Sequence, residues 1–394
     1  MSAPSLHSRA LRSLAFIAAL FALAALSGCR RARRWMHRRN HTVAAAPLPR
    51  LDRARVAHGR ELYLRYCALC HRADASGYAA DHANAVGNQD FLQIASDEFL
   101  HTAIADGHPG TPMSAWAQSH GGPLDGAMVN DIVTYLRSLA RRRYLDVGSR
   151  RVNGNADNGR RVFQERCASC HGPLGGGSGV ATSLSHPTFQ RSASNGFIRY
   201  TIEHGRRGTP MLAFADLGAR TLDDLVAYVR TLEREPPRPA PAPVYEPPPG
   251  LDQLVINPRG RAPNFTLRDD RFVPVADVAR ALEEHRRVVI LDARATSDWN
   301  RGHIPGALPF PFYNIEEMAG RLPNDDTWIL AYCACPHAAS GHVVDELRRR
   351  HFARTAVIDE GIGFWQTHGF PMATGTVVSG GPPDAAGRSP TSDK

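Results

Sequence analysis

Two short strings in this sequence place a pair of thiols and an imidazole at one spacing, about 100 residues apart. They consist of Cys67, Cys70 and His71 in the first string and of Cys167, Cys170 and His171 in the second. Two thiols on one helical turn can each add to a vinyl group of a single haem, and the next imidazole then points at the iron. A zinc site would need two more ligands nearby, and a redox dithiol would need neither the histidine nor the duplication. The pattern therefore predicts two covalently bound haems, with the two histidines as axial ligands.

A methionine follows each string at nearly the same distance, 46 residues after the first thiol for Met113 and 44 residues for Met211. Both methionines end a Gly-Thr-Pro-Met sequence, and ligation by a thioether raises the reduction potential of a haem. The matched positions favour Met113 and Met211 as the second axial ligands over the usual place of a methionine in a core. His108 and His204 are the alternatives, although they do not align with each other.

The two strings belong to an internal repeat of about 100 residues. A glycine and an aromatic residue precede the first thiol at identical offsets in both copies, and each copy closes on an amphipathic helix. Residues 52–140 and 153–235 resemble the small class I cytochrome c domain over the whole of each unit. The resemblance implies an all-α fold wrapped around haem, in which Gly59 and Gly159 allow a close crossing of the first and last helices.

After about residue 268 the sequence alternates between helix and strand patterns, which predicts an α/β fold. Strands are predicted at 288–291, 328–332 and 356–358, and helices at 275–285 and 338–350. Cys333 directly follows the second of these strands, and loops at the carboxyl ends of strands commonly carry sites.

Residues 268–373 resemble a rhodanese domain. The resemblance rests on Leu-Asp-Ala-Arg at 291–294, Gly-His-Ile-Pro-Gly-Ala at 302–307 and the thiol of Cys333 after its strand. In that family this cysteine accepts sulfane sulfur as a persulfide, within a cradle of backbone N–H groups and beside a helix N-terminus.

The loop after Cys333 departs from the rhodanese pattern, in which an arginine stands five residues after the cysteine. Here that position is Ala338, so no guanidinium fork is available to a thiosulfate anion. Cys333 occupies the catalytic position of the family, and Cys335 is the less favoured candidate, able to resolve or relay a persulfide. His337 either polarises the sulfur or is an ordinary exposed histidine. A catalytically inactive domain that docks a partner is the alternative.

The N-terminus predicts an export signal and a lipid anchor. Residues 14–26 form a mostly apolar, uncharged run of 13 residues, too short for a membrane-spanning helix of about 20 residues. It ends in Leu-Ser-Gly-Cys, which resembles the bacterial lipobox and implies that Cys29 is lipidated. An ordinary signal peptide or an uncleaved anchor is the alternative, favoured by six arginines within 30–39 that resist translocation. We expect the periplasmic side of a membrane, with the outer membrane favoured because Arg30 follows Cys29.

These patterns divide the chain into two all-α cytochrome c-like domains followed by an α/β rhodanese-like domain, with flexible segments between and around them. The predicted segments are a signal peptide (1–28), a tether (29–51), the cytochrome c domains (52–140 and 153–235), a Pro-rich linker (236–267), the rhodanese-like domain (268–373) and a disordered tail (374–394).

The haems alone suffice for an electron carrier that exchanges single electrons with redox protein partners. The alternative is a sulfurtransferase or sulfur-oxidising enzyme, in which a sulfur donor or acceptor reacts at Cys333 and the electrons released enter the haems. Nucleic-acid binding is not expected, because the basic residues behind the net charge of +9 are scattered and no binding motif accompanies them.

Overall fold

The computed structural model describes residues 44–48, 50–78, 80, 83–108, 110–148, 151–178, 181–232, 244–246, 248–250, 253–334 and 337–375. The predicted signal peptide, Cys29, Cys335 and the tail from residue 376 lie outside the described residues. The chain divides between Ala46 and Pro47 into two units. In the first unit the structure describes strand β1 (Ala44–Ala46), and all the following elements belong to the second.

The first repeat is helical. Its α-helices span Arg53–Tyr66, Ala68–His71, Gln89–Leu92, Asp97–Ala105 and Gly126–Ser138, with a 3-10 turn at Gln118–His120 and strand β2 at Tyr144–Asp146 after the last helix. The second repeat has helices at Ala156–Arg166, Ala168–His171, Pro187–Ser192, Asn195–His204 and Gly218–Arg230, with a 3-10 turn at Ala215–Leu217. Matching serines cap the fourth helix of both repeats, because Ser96 accepts from the N–H of Phe99 and Ser194 from that of Phe197. The all-α prediction for both repeats is thus confirmed.

The first and last helices of each repeat cross at a glycine. A Cβ added to Gly59 would lie 1.9 Å from the carbonyl oxygen of Asp131, and one added to Gly159 would lie 2.0 Å from that of Asp224. Any larger residue would push the helix backbones apart, so the crossing requires glycine. An aromatic pair packs beside each crossing, with ring centroids 5.2 Å apart in both repeats.

The two repeats pack against each other through an aromatic cluster and an ionic contact. Phe197 of the second repeat stacks on Phe99 at 4.8 Å and meets the edge of Phe91 at 6.2 Å. The guanidinium of Arg207 donates to the Asp90 carboxylate at 2.6 Å. This contact holds the pKa of Asp90 at about 2, below its ordinary value, because the hydrogen bond from Arg207 favours the ionised form.

The α/β domain is built on one parallel sheet in the order β4-β8-β7-β5-β6. The strands are β4 (Phe272–Val273), β5 (Val288–Asp292), β6 (Leu308–Pro309), β7 (Trp328–Tyr332) and β8 (Thr355–Ile358), and the helices are Val275–Glu283, Thr296–Arg301, Ile315–Ala319, Ala338–Arg349 and Gly361–Thr367. A separate parallel pair joins β3 (Val244–Glu246) to β9 (Ala373–Gly375). The prediction of a disordered tail from residue 374 was therefore wrong for residues 374 and 375, because their backbone pairs with that of β3. The alternating strand and helix prediction is confirmed; the helix expected to reach residue 285 ends at Glu283 because His285 has a positive φ of 53°.

Apolar clusters cover both faces of this sheet, as expected for a parallel sheet with helices on each side. Residues of the predicted linker take part in this packing. Leu254 is buried in one cluster, Ile256 forms an antiparallel bridge to Val288, and Phe265 meets the edge of Trp328. The segment 253–267 therefore packs on the α/β domain instead of extending freely, because its apolar side chains find partners there. Among the described residues no helix combines the length and the apolarity that crossing a membrane requires.

Candidate functional site

Each thiol pair lies on one short helical turn directly after the first helix of its repeat. The N–H of Cys67 donates to the carbonyl of Tyr63 at 2.9 Å, and that of Cys167 donates to Phe163 at 2.8 Å. Within each turn, the second thiol residue donates its N–H to the carbonyl of the first, at 3.2 Å for Cys70 and 3.1 Å for Cys170. All four cysteines are half-buried, and none of them forms a disulfide. One turn thus presents both thiols of a pair together, as attachment to one haem requires.

The imidazoles of the two strings are held in the same way. Nδ1 of His71 lies 2.8 Å from the carbonyl oxygen of Asn84, and Nδ1 of His171 lies 3.0 Å from that of Thr182. Because a carbonyl can only accept, Nδ1 carries the proton and Nε2 is left with its lone pair. Burial lowers the pKa of both imidazoles, so both are neutral at neutral pH and able to bind a metal.

The thiols do not have the properties of a redox dithiol. Burial raises the pKa of Cys67 to about 12 and that of Cys167 to about 11. Reactive Cys-X-X-Cys pairs have lowered pKa values instead. The described residues also contain no group of three or more His, Cys, Asp or Glu side chains placed to hold a metal ion.

The two methionine turns share one hydrogen-bond pattern. The N–H of Met113 meets the hydroxyl of Thr111 at 3.2 Å, and its carbonyl accepts from the N–H of His108 at 2.8 Å. In the same way, the N–H of Met211 meets the hydroxyl of Thr209 at 3.2 Å, and the carbonyl of Met211 accepts from the N–H of Arg206 at 2.9 Å. Both methionine side chains are half-buried. The sequence match therefore reflects one turn that is built twice.

The rival histidines occupy unlike surroundings. His108 lies 4.9 Å from the ring of His186 in the second repeat, and burial lowers the pKa of His108 to about 4. His204 is exposed and lies against Tyr200, with ring centroids 4.1 Å apart. Their different environments favour the methionines, whose turns are the same in both repeats.

Arg206 was not singled out from the sequence, although it occupies the position that aligns with His108. Its guanidinium lies 4.8 Å from the ring centroid of Phe91 in the other repeat, and burial lowers its pKa to about 10. The Nε atom of Arg206 is buried and has no hydrogen-bond partner among the described residues. Its positive charge also lowers the pKa of His171. A buried donor without a protein partner beside this histidine suits an acidic group of a bound cofactor, such as a haem carboxylate.

Cys333 is placed as the sequence predicts, directly after β7. Its side chain is only 2% exposed, and its Sγ lies 3.2 Å from the hydroxyl of Ser340. Ala338, which stands at the family's arginine position, begins the helix that follows. Cys335 lies outside the described residues. The thiol is thus almost fully buried, and a sulfur donor needs local opening to reach it.

His337 directs its Nε2 at Asp359. Nε2 of His337 lies 2.9 Å from Oδ1 of Asp359, and the ring packs on Phe272 with centroids 4.4 Å apart. His337 therefore binds the residue that follows β8, and this contact occupies the Nε2 atom that could otherwise polarise Cys333. Asp292 and Arg294 form a 2.5 Å ion pair, and the hydroxyl of Tyr332 donates to Asp292 at 2.7 Å. These contacts fix the ends of β5 and β7.

The first repeat packs on the carboxyl edge of the parallel sheet, which is the edge that carries Cys333. Leu69, between the first thiol pair, packs against the apolar cluster that contains Cys333. Tyr66 meets Tyr313 edge to face at 4.9 Å, and Arg65 donates to Asn314 at 2.6 Å. The first thiol string and the candidate sulfur site therefore share one interface.

Comparisons with known proteins agree with this division of the chain. The family model described as cytochrome C oxidase, cbb3-type, subunit III matches residues 54–136 and 154–229, and the rhodanese-like domain model matches residues 275–368. The cbb3-type cytochrome c oxidase subunit CcoP of Azospirillum sp. is 25% identical over 194 residues, which is 45% of this chain and 62% of that protein. The HTH-type transcriptional regulator Rv0324 of Mycobacterium tuberculosis is 30% identical over 100 residues, covering 25% of this chain and 43% of that protein.

A solved rhodanese-like domain from the Alr3790 protein of Anabaena sp. is 26% identical and covers 26% of this chain and 76% of that chain, with a TM-score of 0.24. The chain spans less than two thirds of the length of the two curated relatives, so their names do not define its activity.

Proposed function

We propose that this chain, in which two tandem cytochrome c domains precede a rhodanese-like domain, transfers single electrons through two covalently bound haems with His/Met ligation. One observation carries the proposal: the same site geometry occurs twice. Each copy has a thiol pair on one turn, an imidazole held through Nδ1 and a methionine turn with identical hydrogen bonds. When bound, haem supplies one-electron chemistry at a potential set by its axial ligands. The protein attaches it, orients the imidazoles and excludes water.

Haem content and ligand exchange test this function. We expect two haems per chain, measured as haem absorbance against protein concentration. Met113→His and Met211→His should each lower the reduction potential of one haem and leave the other nearly unchanged, because a thioether raises the potential. Met128→Leu, a methionine in the last helix of the first repeat, is the matched control and should change neither potential. One haem per chain, or a potential unaffected by both histidine variants, would refute the assignment.

We further propose that Cys29 carries lipid and holds the protein on the periplasmic side of a membrane, with the outer membrane favoured. The support is the lipobox-like sequence Leu-Ser-Gly-Cys, since the sequence gives a lone cysteine there no other role. Several acyl chains anchor a protein firmly, whereas a single chain anchors it only marginally. Cys29→Ser should move the exported protein into the soluble fraction. An intact mass that shows an unmodified Cys29 in the wild type would contradict the anchor.

A second function is favoured by the shared interface of the first repeat and Cys333. There, the Cys333 thiol and hydrosulfide would combine as a persulfide, releasing two protons and two electrons, and the electrons would pass one to each haem. The absence of an arginine at Ala338 favours such a small monoanion over the dianion thiosulfate.

Anaerobic mixing of the oxidised protein with sulfide tests this second function. Reduction of the haems should be faster in the wild type than in Cys333→Ser, and mass spectrometry should find the added sulfur on Cys333. Cys335→Ser is the control and should retain both results. Equal rates in the wild type and Cys333→Ser, with no sulfur added, would leave the rhodanese-like domain a docking module.

A further inference from the structure

The segments after the two axial methionines differ in what covers them. In the first repeat, Met113 is followed by Ser114 and Ala115, which are 6% and 0% exposed. In the second repeat, the residue after Met211 is Leu212, which is 67% exposed. The turns that precede the methionines are the same, so the difference arises from a neighbour of the first repeat.

That neighbour is the rhodanese-like domain, which holds the first segment through two short hydrogen bonds. The hydroxyl of Ser114 donates to Oδ2 of Asp298 at 2.6 Å. The hydroxyl of Ser297 donates to the carbonyl of Ala115 at 2.6 Å. Both bonds are buried, and in such surroundings a hydrogen bond to a carboxylate is strong.

Aromatic packing surrounds these hydrogen bonds. The ring of Trp116 lies 5.7 Å from that of Tyr313 and 6.3 Å from that of Phe312. Tyr66, which immediately precedes the first thiol string, lies 5.7 Å from Trp116. The rhodanese-like domain therefore contacts both the methionine segment and the residue before the thiol string.

The corresponding face of the second repeat is exposed and carries charged side chains. Arg166 stands where the first repeat has Tyr66, and Ser169 stands where it has Leu69. Arg166 lies over the ring of Phe214 at 5.6 Å and pairs with the exposed Asp216 at 3.6 Å. Within the described residues, this face has no counterpart of the rhodanese-like domain upon it.

We propose that the rhodanese-like domain clamps the Met113 segment, with Asp298 and Ser297 as positioning residues that keep this methionine in its axial place. The inference rests on the proposed His/Met ligation of both haems. Since Met211 has no such clamp, an external ligand should displace Met211 readily and Met113 slowly. Because of the clamp, the two repeats should differ in how fast an external ligand replaces the methionine, although their site geometry is the same.

Imidazole binding to the oxidised full-length protein tests the clamp. Replacement of methionine removes the sulfur–iron charge-transfer band, which should be lost in a fast and a slow phase. Met211→His removes one methionine, and only the slow phase should remain. In that background, Asp298→Ala should accelerate the slow phase by roughly tenfold to a hundredfold, because a hydrogen bond to a charged group contributes about 1.5–3 kcal/mol.

Several variants separate the clamp from general damage to the fold. Asp298→Asn retains an acceptor for Ser114 and should restore most of the slow rate. Ser114→Ala removes the same bond from the other side and should match Asp298→Ala. Asp216→Ala, on the exposed face of the second repeat, should leave the slow phase unchanged. Equal rates for both methionines, or an unchanged slow phase in Asp298→Ala and Ser114→Ala, would overturn the clamp. Absence of the band from the wild type would instead refute the methionine ligation.

Discussion

The first and second cytochrome repeats have the same site geometry in different surroundings. The thiol turns, the imidazole contacts and the methionine turns agree to within a few tenths of an ångström in their hydrogen bonds. Outside the site they diverge, because the first repeat is covered by the rhodanese-like domain, whereas the second exposes Leu174 and Leu212. The comparison teaches that the internal turns define the site and that the neighbouring surfaces make the two copies different.

The helix crossings should give the largest effect, because they are common to both repeats. Gly59→Val would force side-chain atoms into the backbone of Asp131, and we expect a loss of about 3 kcal/mol or more in the free energy of unfolding. Gly159→Val should do the same in the second repeat. Denaturant unfolding followed by haem absorbance checks both. Gly126→Ala is the control, since an added Cβ there meets nothing within 4 Å. Equal stability of Gly59→Val and Gly126→Ala would show that the crossing is not tight.

The second largest effect should come from Arg206, whose replacement should change the reduction potential of the second haem but not that of the first. Its buried charge lies near His171 and would disfavour the oxidised state of the second haem that we propose. Arg206→Met should therefore lower the potential of that haem by roughly 30–60 mV, which corresponds to about 0.7–1.4 kcal/mol for one electron. A redox titration of each haem measures this. Arg220→Met, an exposed residue in the last helix of the second repeat, is the control. A larger change in the potential of the first haem than in that of the second would show that Arg206 does not act mainly on the second haem.

The contact between the repeats should be sensitive to acid. The folded pKa of Asp90 is about 2, below its ordinary value of 3.8. A depressed carboxyl pKa contributes stability above the ordinary value, and this contribution is lost as the pH falls through the folded pKa. The stability advantage of the wild type over Asp90→Asn should therefore be full at pH 5 and vanish as the pH approaches about 2. Thermal unfolding across this range measures it, and a constant difference would contradict the assignment.

The smallest effect should come from a hydroxyl that only the first repeat has. Tyr63 donates to the carbonyl of Arg72 at 2.9 Å, while Phe163 stands at the aligned position and has no hydroxyl. Tyr63→Phe should cost about 0.5–1.5 kcal/mol of unfolding free energy and leave the potentials unchanged. Phe163→Tyr is the reciprocal variant. A shift in either potential would show that this hydroxyl also affects the haem environment.

Local patterns predicted most of the fold. The strand at 328–332 was predicted with its observed bounds, Trp328–Tyr332. A short apolar run of this length is typical of a buried strand. The helix crossings at Gly59 and Gly159 were implied by the resemblance to cytochrome c domains and not by a local pattern. Cys333 was correctly placed at the end of its strand, although its burial was not foreseen.

The contacts between domains could not be predicted in this way. Ser114 and Asp298 lie 184 positions apart in the chain, and neither belongs to a motif. In the sequence, nothing distinguishes Arg206 from the surface arginines, because its burial depends on packing against Phe91 of the first repeat. The burial of Leu254 likewise could not be predicted, because it depends on the apolar surface that the assembled sheet presents. Such features depend on how separate elements meet, and a single sequence carries no local signal for that.

The interface between the first repeat and the rhodanese-like domain should also affect the order in which the two thiol pairs receive haem. Docking buries Tyr66, which directly precedes the first thiol string in the chain, and Ser114, which directly follows Met113. We therefore expect a haem to reach Cys67 and Cys70 more easily before the later domain packs on this repeat. The second thiol pair should not depend on this order, because the corresponding face of the second repeat remains exposed. We therefore expect chains that mature under limiting haem to lack haem chiefly at the first thiol pair. Peptide mass mapping of the two thiol pairs would measure this, and equal occupancy would contradict it.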